Sequence, residues 1–191
     1  TQEFSGFDID LIKAVADKAG YDVKVMNMGF DALIPALSAG TIDVIASGIS
    51  ITEERQKKVD FTSPYYQSGL SYLVRKADAE KIKTFADLKG KTLAVQIGTT
   101  AAAKAKDIKD AKVQTFNNAG DAILELANGG CEAVINDKPV TDYILTQQPR
   151  LAIYHADGPL MAGGGTQAAA VAFFFVNVDD PSFHVIFLPV H

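Results

Sequence analysis

One pattern occurs twice in this chain, at an offset of 90 residues. Asp31-Ala32-Leu33-Ile34 reads onto Asp121-Ala122-Ile123-Leu124, Gly40 onto Gly130, and Val44-Ile45 onto Val134-Ile135, without a gap. Upstream, Val23 and Asn27 fall on Val113 and Asn117. Each copy reads as a short strand, an amphipathic helix and a buried strand. Apolar residues at helical spacing give way to a glycine that accepts a left-handed turn, and then to a continuous apolar run. Helix-glycine-strand units resemble one another in any case, so five identities over residues 31 to 47 leave duplication and coincidence both open.

The same grammar extends along the chain. Phe7 to Ala19 sets Ile9, Leu11, Ile12, Val15 and Ala16 on one helical face, with Gly20 behind it as a cap. Leu93 to Ile97 is apolar apart from Gln96, and Gly98-Thr99-Thr100 then opens an alanine-rich helix. Strands alternating with helices imply mostly parallel sheets flanked by helices. Two such sheets make an α/β protein of two small lobes. Gly69 to Arg75 reads as a strand passing from the first lobe to the second, and Val171 to Val176 as the return. The expected division is 1–73 plus 174–191 for lobe 1 and 77–165 for lobe 2, with hinge strands near 69–76 and 171–176.

Composition removes several functions. A net charge of −5 argues against a nucleic-acid partner, which needs a basic field. Cys131 is the single cysteine, and His155, His184 and His191 lack helical ligand spacing, so no disulfide, metal or other cofactor is expected. The longest apolar run, Ala168 to Val176, is too short to span a bilayer. No basic stretch followed by an apolar one opens the chain, so an export signal is expected to have been removed or to lie outside it.

In open α/β sheets, ligands bind beyond the carboxyl ends of the strands. Those ends are Ala46 to Ser50 in one copy and Asn136 to Lys138 in the other, equivalent positions that facing lobes would present to one ligand. Thr52 reads as the cap of a helix whose first turn carries Glu53, Glu54 and, against the dipole, Arg55. A guanidinium there suits a carboxylate held by two bonds. It suits a surface pair with Glu54 or Asp60 equally well. Gly98-Thr99-Thr100 offers amides and hydroxyls to an anion, or simply turns the chain. Asp137 follows an apolar strand and needs a partner, which could be a ligand or the amides of a helix around Val140 to Leu145 begun by Pro139.

Several segments then match a family. Gly6-Phe7-Asp8-Ile9-Asp10-Leu11, Ile34-Pro35-Ala36-Leu37, Ser47 to Arg55, Asp60-Phe61-Thr62-Ser63-Pro64-Tyr65-Tyr66 and Gln96-Ile97-Gly98-Thr99-Thr100 resemble the polar amino-acid binding proteins of bacterial ABC transporters, solute-binding family 3, of the glutamine-, arginine- or lysine-binding type. The resemblance runs in order over roughly residues 5 to 150. It implies a type II periplasmic-binding-protein fold and a non-enzymatic protein that closes over a free amino acid for an ABC transporter permease. It also implies a periplasmic or extracellular location, without a membrane span, and with a lipid anchor on the full-length protein as one form.

The resemblance implies a role for each matching residue. Arg55 takes the ligand carboxylate, with the amides of Ser50 and Thr100. Asp137 takes the ammonium, with the Gly48 carbonyl and the Ser50 hydroxyl. Phe30 forms an apolar wall, and Gln96 and Thr99 face the ligand from lobe 2. Gln96 and Phe30 point to a polar or cationic ligand side chain.

The sequence departs from the family at both ends. Family members open with a further strand and an aromatic loop and close with a long helix, and 156–167, with Gly163-Gly164-Gly165, matches poorly. Lobe 1 is therefore expected to be incomplete, with Val44, Ile45 and Phe61 short of packing partners, and to be cut first by a protease. Two alternatives share the scaffold: an enzyme like cyclohexadienyl or arogenate dehydratase, and the sensing domain of a receptor. No histidine falls in the matched segments. The adjacent acids Glu53-Glu54 and Asp179-Asp180 read as caps or solvated groups, so no enzyme is expected.

Overall fold

The computed structural model describes residues 4–148, 150–155, 167–169, 172–173 and 182–186. From the N-terminus, α1 (Phe7–Ala19), β1 (Asp22–Met26), α2 (Leu33–Ser38), β2 (Val44–Ile45), α3 (Glu53–Gln56) and β3 (Asp60–Phe61) follow one another. Then come β4 (Tyr66–Ser68), β5 (Leu70–Arg75), β6 (Thr92–Gln96), α4 (Thr100–Lys106), β7 (Lys112–Phe116), α5 (Ala119–Asn128), β8 (Ala133–Asp137), α6 (Lys138–Gln147) and β9 (Leu151–His155). The last described segments are β10 (Gln167–Ala169), β11 (Ala172–Phe173) and β12 (Ser182–Ile186). The chain divides into two compact units, Thr1–Gln67 with Ala168–Pro189, and Ser68–Gln167. Each is an α/β unit built on a five-stranded sheet, as the alternation of strand and helix requires.

The second unit orders its strands β7-β6-β8-β5-β9, with β7, β6 and β8 parallel and β5 antiparallel to both of its neighbours. Its inner strands are dry on both faces, and the pleat sorts them. Tyr72, Val74, Leu93, Val95, Ala133 and Ile135 pack with Ala101, Ala102 and Ala105 of α4. Leu73, Ala94 and Val134 point the other way, to Ala122, Ile123 and Leu126 of α5 and Ile144 of α6. Burying a side chain of this size is worth about 1.5–3 kcal/mol. That is why the strands read as unbroken apolar runs rather than as alternation.

The first unit orders its strands β1-β12-β2-β11-β3, with β1, β12 and β2 parallel and β11 antiparallel between β2 and β3. The repeat is visible in this order: β1 and β7 are edges, and β2 and β8 stand third. The strand between them differs in origin. In the second unit it is β6, which precedes β7, whereas in the first it is β12, from the far end of the chain. Val44 and Ile45, expected to lack partners, are 1% and 0% exposed. Ile45 packs with Leu33 and Leu37 of α2, and Val44 with Ile9 and Ile12 of α1.

Two details of the sequence reading shift. Gly40 aligns with Gly130 in the repeat, but the left-handed glycines are Gly40 (φ 68°) and Gly129 (φ 84°), so the left-handed residue comes one position earlier after the second helix. The expected crossing strand at 69–76 is, over Leu70–Arg75, a buried inner strand of the second sheet, and the unit boundary falls just before it, at Gln67–Ser68. An apolar extended run looks the same in a linker and in a sheet interior. Of the expected return strand at 171–176, 172–173 form β11 within the first sheet. Its other residues, and 156–166 with the triple glycine, lie outside the described residues.

Arg75, at the end of β5, fixes the turn that leads into β8. Its guanidinium donates to the carbonyls of Leu126 (2.8 Å) and Cys131 (2.6 Å) and pairs with Asp78 (2.8 Å). Arg75→Met leaves those carbonyls without their donor, and is expected to cost about 1–3 kcal/mol in chemical denaturation. Cys131 is buried, and burial pushes its thiol up to about 11. Native protein should therefore resist thiol reagents near neutral pH and the Arg75 variant should react faster. A chain ended at Val176 lacks β12, so limited proteolysis should degrade its first unit and spare a fragment near 68–155.

Candidate functional site

In the first unit, β2 delivers the chain into Ala46-Ser47-Gly48-Ile49-Ser50. Ala46 and Ile49 are buried as anchors, and Ser50 is 5% exposed. The chain then enters α3, where the Thr52 hydroxyl accepts the Arg55 N–H (3.2 Å) as the sequence predicts. The Arg55 side chain folds back over this loop. Its Nη1 donates to the Ser50 carbonyl at 2.8 Å, and its guanidinium lies 5.4 Å from the centre of the Phe30 ring. Glu54, one of the surface partners considered for Arg55, pairs with Lys58 (3.1 Å). Phe30, Gly48, Ser50 and Arg55 thus gather at the carboxyl end of β2, and a ring face and a carbonyl orient the planar guanidinium fork.

Two residues that sequence reasoning did not assign complete this arrangement. The Asp8 carboxylate, in the first turn of α1, accepts the Gly48 N–H at 2.6 Å and the Tyr65 hydroxyl at 2.8 Å. Burial raises the Asp8 carboxyl above its ordinary value, against the lowering effect of those two hydrogen bonds. Burial, then the neighbouring Asp8 charge, raises the Tyr65 hydroxyl, which therefore remains a donor. In sequence, Asp8 is simply an acid at a helix start. Two signals were available: it lies in the Gly6-to-Leu11 segment that carries the family resemblance, and its place a turn before Ile12 sets it at the edge of the buried face.

In the second unit, Gln96 ends β6 and Asp137 ends β8, its parallel neighbour, so both leave the sheet at the same end. The Gln96 amide donates to the Asn117 carbonyl (3.2 Å). Gly98 turns with φ 76°, and Thr99 caps α4, its hydroxyl accepting the Ala102 N–H (3.1 Å) and donating to the Gln96 carbonyl (2.7 Å). Thr100 opens that helix. Asp137 stands at the cap position of α6 with Pro139 in its first turn, yet its side chain makes no capping hydrogen bond. The reading of this carboxylate as a helix cap is therefore not met. Its half-buried position follows from the sheet: Asp137 lies across from Leu70, and its N–H donates to the Asn136 Oδ1 (2.9 Å).

Among the described residues, no group of three His, Cys, Asp or Glu is placed to hold a metal, and no helix is long and apolar enough to cross a membrane.

The family model for bacterial extracellular solute-binding proteins, family 3, matches residues 1–174. A probable histidine-binding protein of Campylobacter jejuni is 40% identical over 155 residues, 81% of this chain and 60% of that protein. The ABC transporter arginine-binding protein 1 of Escherichia coli is 36% identical over 152 residues, 79% of this chain and 61% of its own length. The chain thus spans about three fifths of each of these two relatives. Among solved structures, holo ArgBP from T. maritima superposes with a TM-score of 0.80 at 40% identity, covering 88% of this chain and 72% of that one.

Thr52→Ala removes the cap of α3 and should cost about 1 kcal/mol of stability, read as a lower denaturation midpoint.

Proposed function

The chain belongs to the bacterial extracellular solute-binding proteins of family 3, and from that premise we propose that it captures a free amino acid outside the cytoplasm for the permease of an ABC transporter. The observation that carries this reading is the Arg55 guanidinium, oriented by the Phe30 ring and the Ser50 carbonyl at the carboxyl end of β2. A fork held in this way is suited to grip a carboxylate with two parallel bonds. The amides of Ser50 and Thr100 assist it. Asp137, whose carboxylate does not cap α6, takes the ammonium together with the Gly48 carbonyl and the Ser50 hydroxyl. Opposite ends of a zwitterion thereby meet opposite charges.

Phe30 supplies an apolar wall. Gln96 and Thr99, tied to Asn117 and to the start of α4, serve as fixed surfaces rather than as holders of charge. The ligand we infer is cationic or polar, with L-arginine first and L-histidine next, because similar proteins carry those names. Capture proceeds by hinge closure: a ligand favours whichever state meets more of its groups. The location is periplasmic or extracellular, with or without a lipid anchor. The similar proteins are named as binding proteins, and no reaction is assigned to the residues gathered here.

Calorimetry with L-arginine, L-histidine, L-lysine and L-glutamine tests the reading, alongside mass spectrometry of ligand released on denaturation. Arg55→Ala is expected to weaken binding by about a hundredfold with the fold intact, and Asp137→Ala by about tenfold or more. Near-native affinity in Arg55→Ala would refute the carboxylate assignment. Turnover of prephenate or arogenate would favour the enzyme instead.

A further inference from the structure

We propose that Asp8 is a positioning residue for the ligand-binding loop: its carboxylate pins the Gly48 amide and so sets where the Gly48 carbonyl and Ser50 meet the ligand. The inference rests on the reading of Gly48 and Ser50 as ligand groups given above. Gly48 lies in the left-handed region, φ 54°. An added Cβ there would stand 4.0 Å from the Asp8 carboxylate, so space is not what demands glycine. The backbone turn demands it. Gly48 lies between the buried Ala46 and Ile49, and its N–H points to Asp8 Oδ2 at 2.6 Å, a short, charge-assisted bond.

The carboxylate is itself held. Tyr65 donates to Oδ1 at 2.8 Å, and its ring stacks on Phe7 at 6.1 Å between centroids. Both acceptor oxygens are thus engaged by segments distant in sequence, and the carboxylate cannot turn without breaking one of them. Three pieces of the first unit meet here: the start of α1, the loop after β2, and the residues just before Gln67, where the unit ends. Burial opposes the charge of this carboxyl, whereas the helix N-terminus and the two donors favour it. A residue that served packing alone would carry no such opposition. The arrangement is the one a loop needs when its carbonyl and hydroxyl must be aimed before the ligand arrives.

The test uses the whole chain, titrated with L-arginine well below its unfolding temperature, together with the amide resonance of Gly48. Asp8→Ala removes the acceptor and is expected to weaken binding about tenfold or more, whereas Asp8→Asn keeps an acceptor for Gly48 and a group for Tyr65 and should stay within about threefold of wild type. The Gly48 amide proton should lie far downfield in wild type, move upfield in Asp8→Ala with or without ligand, and fall between the two in Asp8→Asn, whose neutral oxygen still accepts.

A folded Asp8→Ala protein with wild-type affinity overturns the proposal. So does Asp8→Asn binding as weakly as Asp8→Ala, which would assign the effect to charge. If Asp8→Ala does not fold, Tyr65→Phe decides: a weakened affinity with a shifted Gly48 resonance supports the pinning, and no change in either overturns it. A wild-type chain that binds no amino acid refutes the function proposed above. The Gly48 resonance then decides the present inference alone, and a resonance unmoved by Asp8→Ala overturns it.

Discussion

The inner strands of the second sheet, and β2 of the first, are buried on both faces, and this dry burial governs where polar groups can be placed. Leu93, Ala94 and Val95 of β6 and Ala133, Val134 and Ile135 of β8 are no more than 1% exposed, as are Val44 and Ile45 of β2. A charged group inside such a strand would lose its hydration without a partner. Ionisable residues are therefore displaced to the strand ends, where the chain turns and backbone groups come free. Asp137 is the last residue of β8, and Arg55 follows β2 in α3.

The loops at those ends then have to satisfy their own polar atoms. Thr52 and Thr99 cap the helices that follow, Asn118 does the same for α5, and Arg75 takes the carbonyls at the far end of α5. These bonds use up side chains that in isolation look available to a ligand. Thr99 is the clear case, since its hydroxyl both accepts from Ala102 and donates to Gln96. Asp137 stands at a cap position without capping α6.

The two sheets reach one strand order by different connections. In the second unit the middle parallel strand comes from nearby in the chain, and in the first it is Ser182–Ile186. What a parallel sheet requires is a strand paired on both sides, and the pairing does not record where that strand lies in sequence. Val44 and Ile45 of β2 are paired by β12 on one side and β11 on the other, and are covered by α1 and α2.

The sequence by itself determined the elements whose signal is local. Helical spacing and Gly20 set α1, Thr52 set the start of α3, and unbroken apolar runs set β6 and β8, because propensity, capping and burial are written within a few residues. The repeat suggested the equivalence of β2 and β8, and the motif at Ser47 to Arg55 marked the segment in which Arg55 folds back on Ser50. Only the tertiary structure decided which strands flank Leu70–Arg75, read from the sequence as a crossing strand: β8 on one side and β9 on the other. The partners of Asp8 were likewise beyond sequence, since Gly48 and Tyr65 lie 40 and 57 residues away. A hydrogen bond depends on ångström-scale placement, and between residues so far apart that placement exists only once the sheets have packed.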